Sequence, residues 1–308
     1  MLIHSLEQLI GNTPLMQPDR YSAAQKLKAR LLLKLECRNP LGSVKDRVAL
    51  AMIDEAEQTG RLRPGGVIIE PTGGSAGIGL AFIGALRGYR VIITMPDTAP
   101  PDRRALLSAL GAEVVLTPGA GGMKQAIARS EQLASEIPNS WLPRQFENAA
   151  NPDVHRRTTA REIIADIGNA AGTVDIFVAG VGTGGTLTGI GGALKERWPG
   201  CQIAAVEPAD SPVLSGGRQG THALSGIGAG FLPPVLDKQL IDTVISVRSA
   251  DAFAACRKIA AAEGLLLGAS SGAALYAATA LAKKAANRGK TIVAIMPDTG
   301  ERYLGDIF

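Results

Sequence analysis

The chain has 308 residues, of which 46% are hydrophobic and 19% charged, a composition typical of globular proteins rather than disordered ones. Its formal net charge of +4 is small and its basic residues are scattered, so we expect no nucleic-acid partner. Apolar runs fall short of the roughly 18 residues of a membrane span, and the three cysteines lack metal-ligand spacing, so we expect neither a membrane nor a metal site.

Strands and helices are predicted to alternate along almost the whole chain. Short apolar runs bounded by turn residues predict strands at 30–35, 66–70, 90–95, 113–116, 174–179, 202–206 and 291–296. Helices are predicted from Lys45 onward and at 78–86, 101–110, 121–137, 158–167, 186–197, 250–263 and 271–285. This alternation favours an α/β fold with mostly parallel sheets covered by helices on both faces.

A stretch rich in proline and asparagine at 141–151 interrupts the alternation and predicts a junction between two lobes. We expect residues 38–147 to form a smaller lobe that closes on the substrate. Residues 1–37 and 148–308 are expected to form the larger lobe, with the ligand in the crevice. The N-terminus lacks the basic start and apolar core of a signal peptide, and we expect a cytoplasmic protein.

Lys45 lies at the predicted start of a helix. Ser43 and Asp46 have the spacing of a capping box, which places Lys45 in the first helical turn. There the helix macrodipole disfavours a second positive charge and so favours the neutral amine that forms imines. An ordinary exposed lysine on an amphipathic helix is the simpler interpretation of this stretch alone.

A glycine-rich turn follows the apolar strand at 174–179 and opens the next helix. It consists of Gly182, Thr183, Gly184, Gly185 and Thr186. Backbone N–H groups of such a turn, the helix N-terminus and the threonine hydroxyls can together bind a phosphate. A lysine suited to an aldehyde and a turn suited to a phosphate together indicate pyridoxal phosphate.

NAD is the rival cofactor. Residues 180–185 satisfy G-x-G-x-x-G, and Glu207 ends the next strand, where a Rossmann domain places its ribose-binding acid. The turn, however, lies mid-chain behind a complete α/β lobe. The NAD interpretation also leaves Lys45 and the loop at 72–77 unexplained.

Two further turns can contribute to a site. The loop Thr72, Gly73, Gly74, Ser75, Ala76, Gly77 is a second anion site, suited to a substrate carboxylate. Ser270 caps a helix or shares a hydrogen bond with the pyridine nitrogen, and a neutral hydroxyl there suits β-elimination better than transamination. His4, His155 and His222 have no metal or triad spacing and are most simply solvated.

As a set, these segments resemble the cysteine synthase (O-acetylserine sulfhydrylase) and cystathionine β-synthase family of fold-type II, tryptophan synthase β-like enzymes. The matching segments are 10–15, 39–47, 145–152, 180–189, 207–230, 264–274 and 297–303. The resemblance implies that Lys45 is the Schiff-base lysine and that the turn at 182–186 binds the cofactor phosphate. It places Ser270 at the ring nitrogen and Ser75 near the 3′ oxygen. It assigns the substrate to Thr72, Gly73, Gly74, Ser75, Ala76, Gln145 and Gly226.

The reaction that the resemblance implies is β-replacement on an activated L-serine, with O-acetylserine as donor and sulfide as acceptor, giving L-cysteine. Homocysteine as acceptor, giving cystathionine, and a cysteine desulfhydrase remain alternatives, and a non-catalytic regulatory homologue is a more distant one. A homodimer and an association with serine acetyltransferase are also implied as family properties.

The loop at 72–77 departs from the family pattern Thr-Ser-Gly-Asn-Thr-Gly. Hydroxyls are lost at Gly73 and Ala76, and Ser75 stands where the family has asparagine. We therefore expect a different donor or weaker carboxylate binding than in a housekeeping cysteine synthase.

Overall fold

The structure, a computed structural model, describes residues 2–169 and 172–308. Within them the strands are β1 Leu15–Met16, β2 Arg30–Leu35, β3 Val67–Pro71, β4 Arg90–Pro96, β5 Glu113–Thr117, β6 Ser140–Trp141, β7 Ile176–Gly180, β8 Gln202–Pro208, β9 Thr243–Val247 and β10 Thr291–Met296. The helices are α1 Asp19–Gln25, α2 Lys45–Gln58, α3 Ser75–Arg87, α4 Pro101–Ala109, α5 Gly122–Glu136, α6 Ala150–Val154, α7 Ala160–Asn169, α8 Gly185–Arg197, α9 Ser249–Glu263, α10 Ala269–Lys283 and α11 Leu304–Ile307.

The chain divides into two compact units. The first comprises residues 2–10 and 39–150, and the second comprises residues 11–38 and 151–308. The roles predicted for the two lobes, substrate closure for 38–147 and phosphate binding for the remainder, stay predictions.

The first unit contains a four-stranded, fully parallel sheet in the order β5-β4-β3-β6. Strand β3 lies between β4 and β6 and is almost continuously buried, as its apolar sequence demands in a sheet covered on both faces. Its carboxyl end leads directly into the loop at 72–77 and then into α3. This end of the sheet therefore positions the predicted substrate loop.

The second unit contains a six-stranded sheet in the order β1-β2-β10-β7-β8-β9. All neighbouring strands are parallel except β1, which runs antiparallel to β2. One face packs against α9 and α10 through Ala252, Ile259 and Ala273, and the other against α7 and α8 through Ile163 and Leu187. The prediction of mostly parallel sheets covered by helices is confirmed.

Helix boundaries near residue 150 differ from the prediction. Helix α6 begins at Ala150, continues through a π-helical turn at His155–Thr159 and joins α7, whereas the sequence predicted a helix only from residue 158. Pro152 lies in the first turn of α6, where the missing N–H breaks no helical hydrogen bond. Pro152, which directly follows the stretch predicted as a junction, therefore lies in the start of a helix.

The described residues bear on two kinds of feature, a membrane-spanning helix and a metal site. No helix among them is long and apolar enough to cross a membrane. Nor do they contain a cluster of three His, Cys, Asp or Glu side chains that could hold a metal ion.

Candidate active site

Lys45 is the first residue of α2, as predicted, but the local bonds that fix the helix start are different. The N-cap is Val44, and it makes no side-chain cap. The Lys45 N–H donates to Ser43 Oγ at 3.2 Å. The Asp46 carboxylate accepts from the Leu41 N–H at 2.7 Å. The expected capping box between Ser43 and Asp46 is thus wrong in detail, because both side chains bond to other backbone N–H groups.

The amine of Lys45 is easier to deprotonate than that of an ordinary lysine. Burial lowers its pKa to about 8, and the negative charge of Glu70 works in the opposite direction. At pH 8 about half of such amines are neutral, against about 0.3% for a lysine of ordinary pKa. A neutral amine is the form that attacks an aldehyde or accepts a proton.

Glu70 is a site residue that sequence analysis missed. It lies near the carboxyl end of β3 with only 2% of its surface exposed. Its carboxylate accepts hydrogen bonds from the Arg144 N–H, at 3.1 Å, and from the backbone and side chain of Gln145. Burial raises the pKa of Glu70 to about 7, and these hydrogen bonds oppose the rise. An acid at the end of a buried strand, directly before a glycine-rich loop, is the signal that could have identified it.

The structure brings Lys45 close to α3, the helix that begins within the predicted substrate loop. Helix α3 begins at Ser75 with Gly74 as its N-cap. A Cβ on Gly79 of α3 would lie 2.7 Å from the Lys45 carbonyl oxygen, so glycine permits this close approach of α2 and α3. Within the first unit, Lys45 therefore packs against α3 and lies close enough to Glu70 for the two charges to interact.

The loop at 72–77 is organised by backbone bonds. The Gly74 N–H donates to Thr72 Oγ1 at 3.0 Å, and the Arg103 guanidinium donates to the Gly73 carbonyl. A Cβ on Gly73 would meet no atom within 4 Å, whereas Ala76 is buried. The space that a serine side chain would occupy at position 73 is therefore open. Packing in this structure does not exclude the serine that the family pattern has there.

The glycine-rich turn of the second unit has the predicted strand–turn–helix placement. It follows β7 and leads into α8, whose N-cap is Gly184 at φ +85°. A Cβ on Gly182 would lie 2.3 Å from the Gly226 carbonyl oxygen, and one on Gly185 would lie 2.1 Å from Asn151 Oδ1. Only glycine fits at position 182, where the neighbour is backbone, and a side chain at position 185 would displace Asn151. The turn leads into the N-terminus of a helix, as an anion site requires.

Hydroxyls of this turn are held by side chains from the helix that begins at Ala150. Asn151 Nδ2 donates to Thr183 Oγ1 at 2.9 Å. His155 Nε2 lies 3.2 Å from Thr186 Oγ1, and its Nδ1 lies 3.0 Å from Thr159 Oγ1. Both threonine side chains are therefore oriented before any ligand binds.

The expectation that His155 is solvated is wrong. Its side chain is fully buried in the π-helical turn at His155–Thr159. π-Helical turns concentrate at functional sites. No local pattern in the sequence indicates this turn, and the helix was predicted to begin three residues later, at residue 158. His4 is exposed and His222 is partly buried.

Ser270 and Gly226 lie together in the second unit. A Cβ on Gly226 would lie 3.3 Å from Ser270 Oγ, and Gly226 itself adjoins Gly182. Ser270 is buried in the first turn of α10, and its hydroxyl donates to Asp298 Oδ1 at 3.4 Å. Asp298 also accepts from Tyr303 Oη at 2.7 Å. The predicted ring-nitrogen residue is therefore adjacent to the predicted phosphate turn through Gly226.

Glu207 does not have the open environment of a ribose-binding acid. It is buried, and its carboxylate accepts from the Leu214 N–H at 2.8 Å and from the hydroxyls of Ser215 and Ser246. These bonds hold the segment after β8. The NAD interpretation therefore loses the ribose-binding acid that supported it.

The side chains present fit pyridoxal phosphate. A lysine with a lowered pKa suits its aldehyde, and a glycine turn with oriented threonine hydroxyls suits its phosphate. The buried Ser270 hydroxyl suits a ring nitrogen. Lys45 belongs to the first unit, and the phosphate turn and Ser270 belong to the second.

Comparisons with known proteins agree with this chemistry. A family model described as pyridoxal-phosphate dependent enzyme matches residues 6–298. The chain is 51% identical over 303 residues to a probable cysteine synthase of Bacillus subtilis (strain 168), covering 98% of this chain and 96% of the relative.

Solved structures share this fold. A cysteine synthase from Entamoeba histolytica has a TM-score of 0.94 at 42% identity, covering 99% of this chain and 90% of that one. An O-acetylserine-dependent cystathionine β-synthase from Helicobacter pylori has a TM-score of 0.91 at 38% identity, covering 100% and 99%. The expected family, fold and cofactor are confirmed, and the chain belongs to the pyridoxal-phosphate-dependent enzymes.

Proposed function

We propose that this chain catalyses β-replacement on an activated L-serine, with O-acetylserine as donor and sulfide as acceptor, to give L-cysteine. The observation that carries the proposal is the Lys45 amine of lowered pKa, in a residue whose backbone packs against α3, the helix that begins in the predicted carboxylate loop. The full-length similarity to a protein named probable cysteine synthase supports this choice of reaction.

The cofactor supplies an electron sink for the pair of electrons released when the Cα–H bond breaks. Lys45 would hold the cofactor through its aldehyde, and its amine, once displaced by the amino group of the substrate, would accept the α-proton. Residues 182–186 would hold the phosphate, and Ser270 would orient the ring through its nitrogen. Ser75 would face the 3′ oxygen, and Gly226 would border the substrate.

The substrate carboxylate is assigned to the N-terminus of α3 and to Gln145. The α3 N–H groups and Thr72 supply donors there. We assign this binding to the lobe 38–147. The remaining residues, 1–37 and 148–308, form the cofactor-phosphate lobe.

Homocysteine is the second candidate acceptor, because a structural neighbour of similar length is named an O-acetylserine-dependent cystathionine β-synthase. Cysteine desulfhydration would use the same residues without an acceptor. A regulatory homologue without turnover is disfavoured by the intact Lys45 and Ser270. By family resemblance we also assign a homodimer, located in the cytoplasm, and serine acetyltransferase as a binding partner.

Restoring the family pattern in the 72–77 loop is expected to strengthen amino-acid binding. The combined change Gly73→Ser, Ser75→Asn and Ala76→Thr adds two hydroxyls and replaces the Ser75 hydroxyl with a longer carboxamide, and a Cβ at position 73 meets no atom within 4 Å. We expect one or two of these groups to bond the substrate carboxylate, at about 1 kcal/mol each, so O-acetylserine binding should tighten about tenfold. Titration with O-acetylserine, followed through the cofactor absorbance, measures the affinity.

Gly73→Ala is the matched control, because it adds the carbon without the hydroxyl. The control should leave the affinity within about twofold of the original, a free-energy change of about 0.4 kcal/mol. An unchanged affinity in the triple variant would show that the loop departure does not weaken carboxylate binding.

The proposed reaction is tested by the near-ultraviolet and visible spectrum of the purified protein before and after O-acetylserine is added. A cofactor band that shifts on addition, and returns when sulfide is supplied, supports donor and acceptor together. A band indifferent to O-acetylserine rejects this donor, and phosphoserine, serine and cysteine are tried next. Absence of any band after reconstitution with pyridoxal phosphate contradicts the proposal.

A further inference from the structure

We propose that Asn151 is a positioning residue for the cofactor phosphate, because its carboxamide donates to the Thr183 hydroxyl and so turns the proton of that hydroxyl toward the phosphate. The inference rests on the proposed role of residues 182–186 as the phosphate turn. Both residues belong to the second unit, so the bond between them lies within that unit.

The Thr183 hydroxyl is approached by two donors. Asn151 Nδ2 donates to Thr183 Oγ1 at 2.9 Å, and the Gly185 N–H donates to the same oxygen at 3.3 Å. A hydroxyl oxygen has two lone pairs and one proton, so these donors occupy both lone pairs. In the part of the chain that the structure describes, no group accepts the proton. The proton is therefore available to a ligand.

The direction of the Asn151 carboxamide decides what the ligand meets. If its oxygen faced Thr183, that oxygen would accept the hydroxyl proton. The ligand would then meet the lone pairs of Thr183 Oγ1, which repel an anion. With Nδ2 facing Thr183, as in this structure, the turn presents donors to a phosphate.

Glycines on α8 allow Asn151 to come this close to the turn. Asn151 is the second residue of α6 and is fully buried. A Cβ on Gly185 would lie 2.1 Å from Asn151 Oδ1. A Cβ on Gly189, one turn further along α8, would lie 2.1 Å from the Pro152 carbonyl oxygen. Helix α6 therefore packs directly on the first turns of α8, and this packing fixes where the carboxamide lies.

An uncharged donor is what this position requires. Asparagine donates without carrying a charge, whereas an ionised aspartate of nearly the same size can only accept hydrogen bonds. The carboxylate introduced by Asn151→Asp would take the Thr183 proton. It would also place a negative charge one hydroxyl away from the phosphate.

The experiment titrates the cofactor-free protein with pyridoxal phosphate and, separately, with pyridoxal, which lacks the phosphate. It is done at about pH 8, far above the ordinary pKa of aspartate. We expect Asn151→Ala to weaken pyridoxal phosphate binding about tenfold and Asn151→Asp to weaken it about 100-fold. Neither change should alter the pyridoxal affinity more than about twofold. A packing role alone would make Asn151→Asp the milder change, because it preserves the side-chain volume.

Thr183→Val removes the hydroxyl through which Asn151 acts. It should weaken pyridoxal phosphate binding about tenfold by itself. Asn151→Ala should add little in that background, because the two residues act as one unit. Thr183→Ser keeps the hydroxyl and should bind the cofactor within about threefold of the original affinity.

Asn287→Ala is the matched control. Asn287 is a buried asparagine of the same unit, and its Nδ2 donates to the Leu281 carbonyl oxygen at 3.0 Å. It lies just before β10, at the amino end of that strand, whereas the phosphate turn follows the carboxyl end of the parallel neighbour β7. The control should lower the thermal unfolding midpoint and leave the pyridoxal phosphate affinity unchanged.

An Asn151→Ala variant that binds pyridoxal phosphate as tightly as the original protein, or more tightly, would overturn the inference. So would equal losses for pyridoxal phosphate and pyridoxal, or effects of Asn151→Ala and Thr183→Val that add. If the turn does not hold the phosphate, Thr183→Val itself will leave the affinity unchanged, and the inference falls with it. Failure of the proposed reaction is distinguishable, because none of these titrations uses O-acetylserine or sulfide.

Discussion

Replacing Lys45 with alanine is expected to lower turnover of O-acetylserine and sulfide by about 10⁴-fold, the upper range for loss of a general base. The amine of lowered pKa is removed, and the variant retains no other amine at the start of α2. Single-turnover kinetics with saturating cofactor measures the loss. Borohydride reduction followed by peptide mapping should attach the cofactor to the Lys45 peptide in the original protein and not in the variant.

Lys124→Ala is the control for this experiment, because Lys124 is an exposed lysine of the same unit on α5. It should retain the original turnover and the original labelling pattern. Turnover within tenfold of the original in Lys45→Ala, or cofactor attached to another lysine, would contradict the assignment.

Gly182→Ala is expected to weaken pyridoxal phosphate binding by about 10³-fold, or about 4 kcal/mol. The added Cβ would lie 2.3 Å from the Gly226 carbonyl oxygen, which is backbone and cannot rotate away. The turn must therefore shift, and its N–H groups no longer converge on the phosphate. Equilibrium titration of the cofactor-free protein measures the affinity.

The matched control is Gly192→Ala on α8, where the nearest atoms to a new Cβ lie at 3.5 and 3.8 Å. It should leave the affinity unchanged and stabilise the helix by up to about 1 kcal/mol. A Gly182→Ala variant that binds the cofactor normally would show that the turn does not hold the phosphate.

Features carried by consecutive residues were predictable from sequence. The glycine turn at 182–186 lies between a strand and a helix as predicted, because glycine, apolar run and helix start follow one another along the chain. The start of α2 at Lys45 was predicted for the same reason, although the capping bonds were not. Local chemistry determines such elements.

Features that depend on distant partners were not predictable. Glu70 becomes a site residue only because Arg144 and Gln145, more than 70 positions away, donate to it. His155 is buried only because a π-helical turn directs it to Thr186. The two-residue strand β6 was missed because its pairing with β3, rather than its composition, defines it.

The central place of β10 in the six-stranded sheet constrains how the chain folds during synthesis. Strand β2 can pair with β1 early, but its other edge stays open until residues 291–296 have left the ribosome. The first unit, by contrast, is complete at residue 150. At 5–20 residues per second, the remaining roughly 140 residues take about 7–30 s to be made. During that interval the open edge of β2 is exposed to pairing with other chains, so nascent protein is the form most exposed to aggregation.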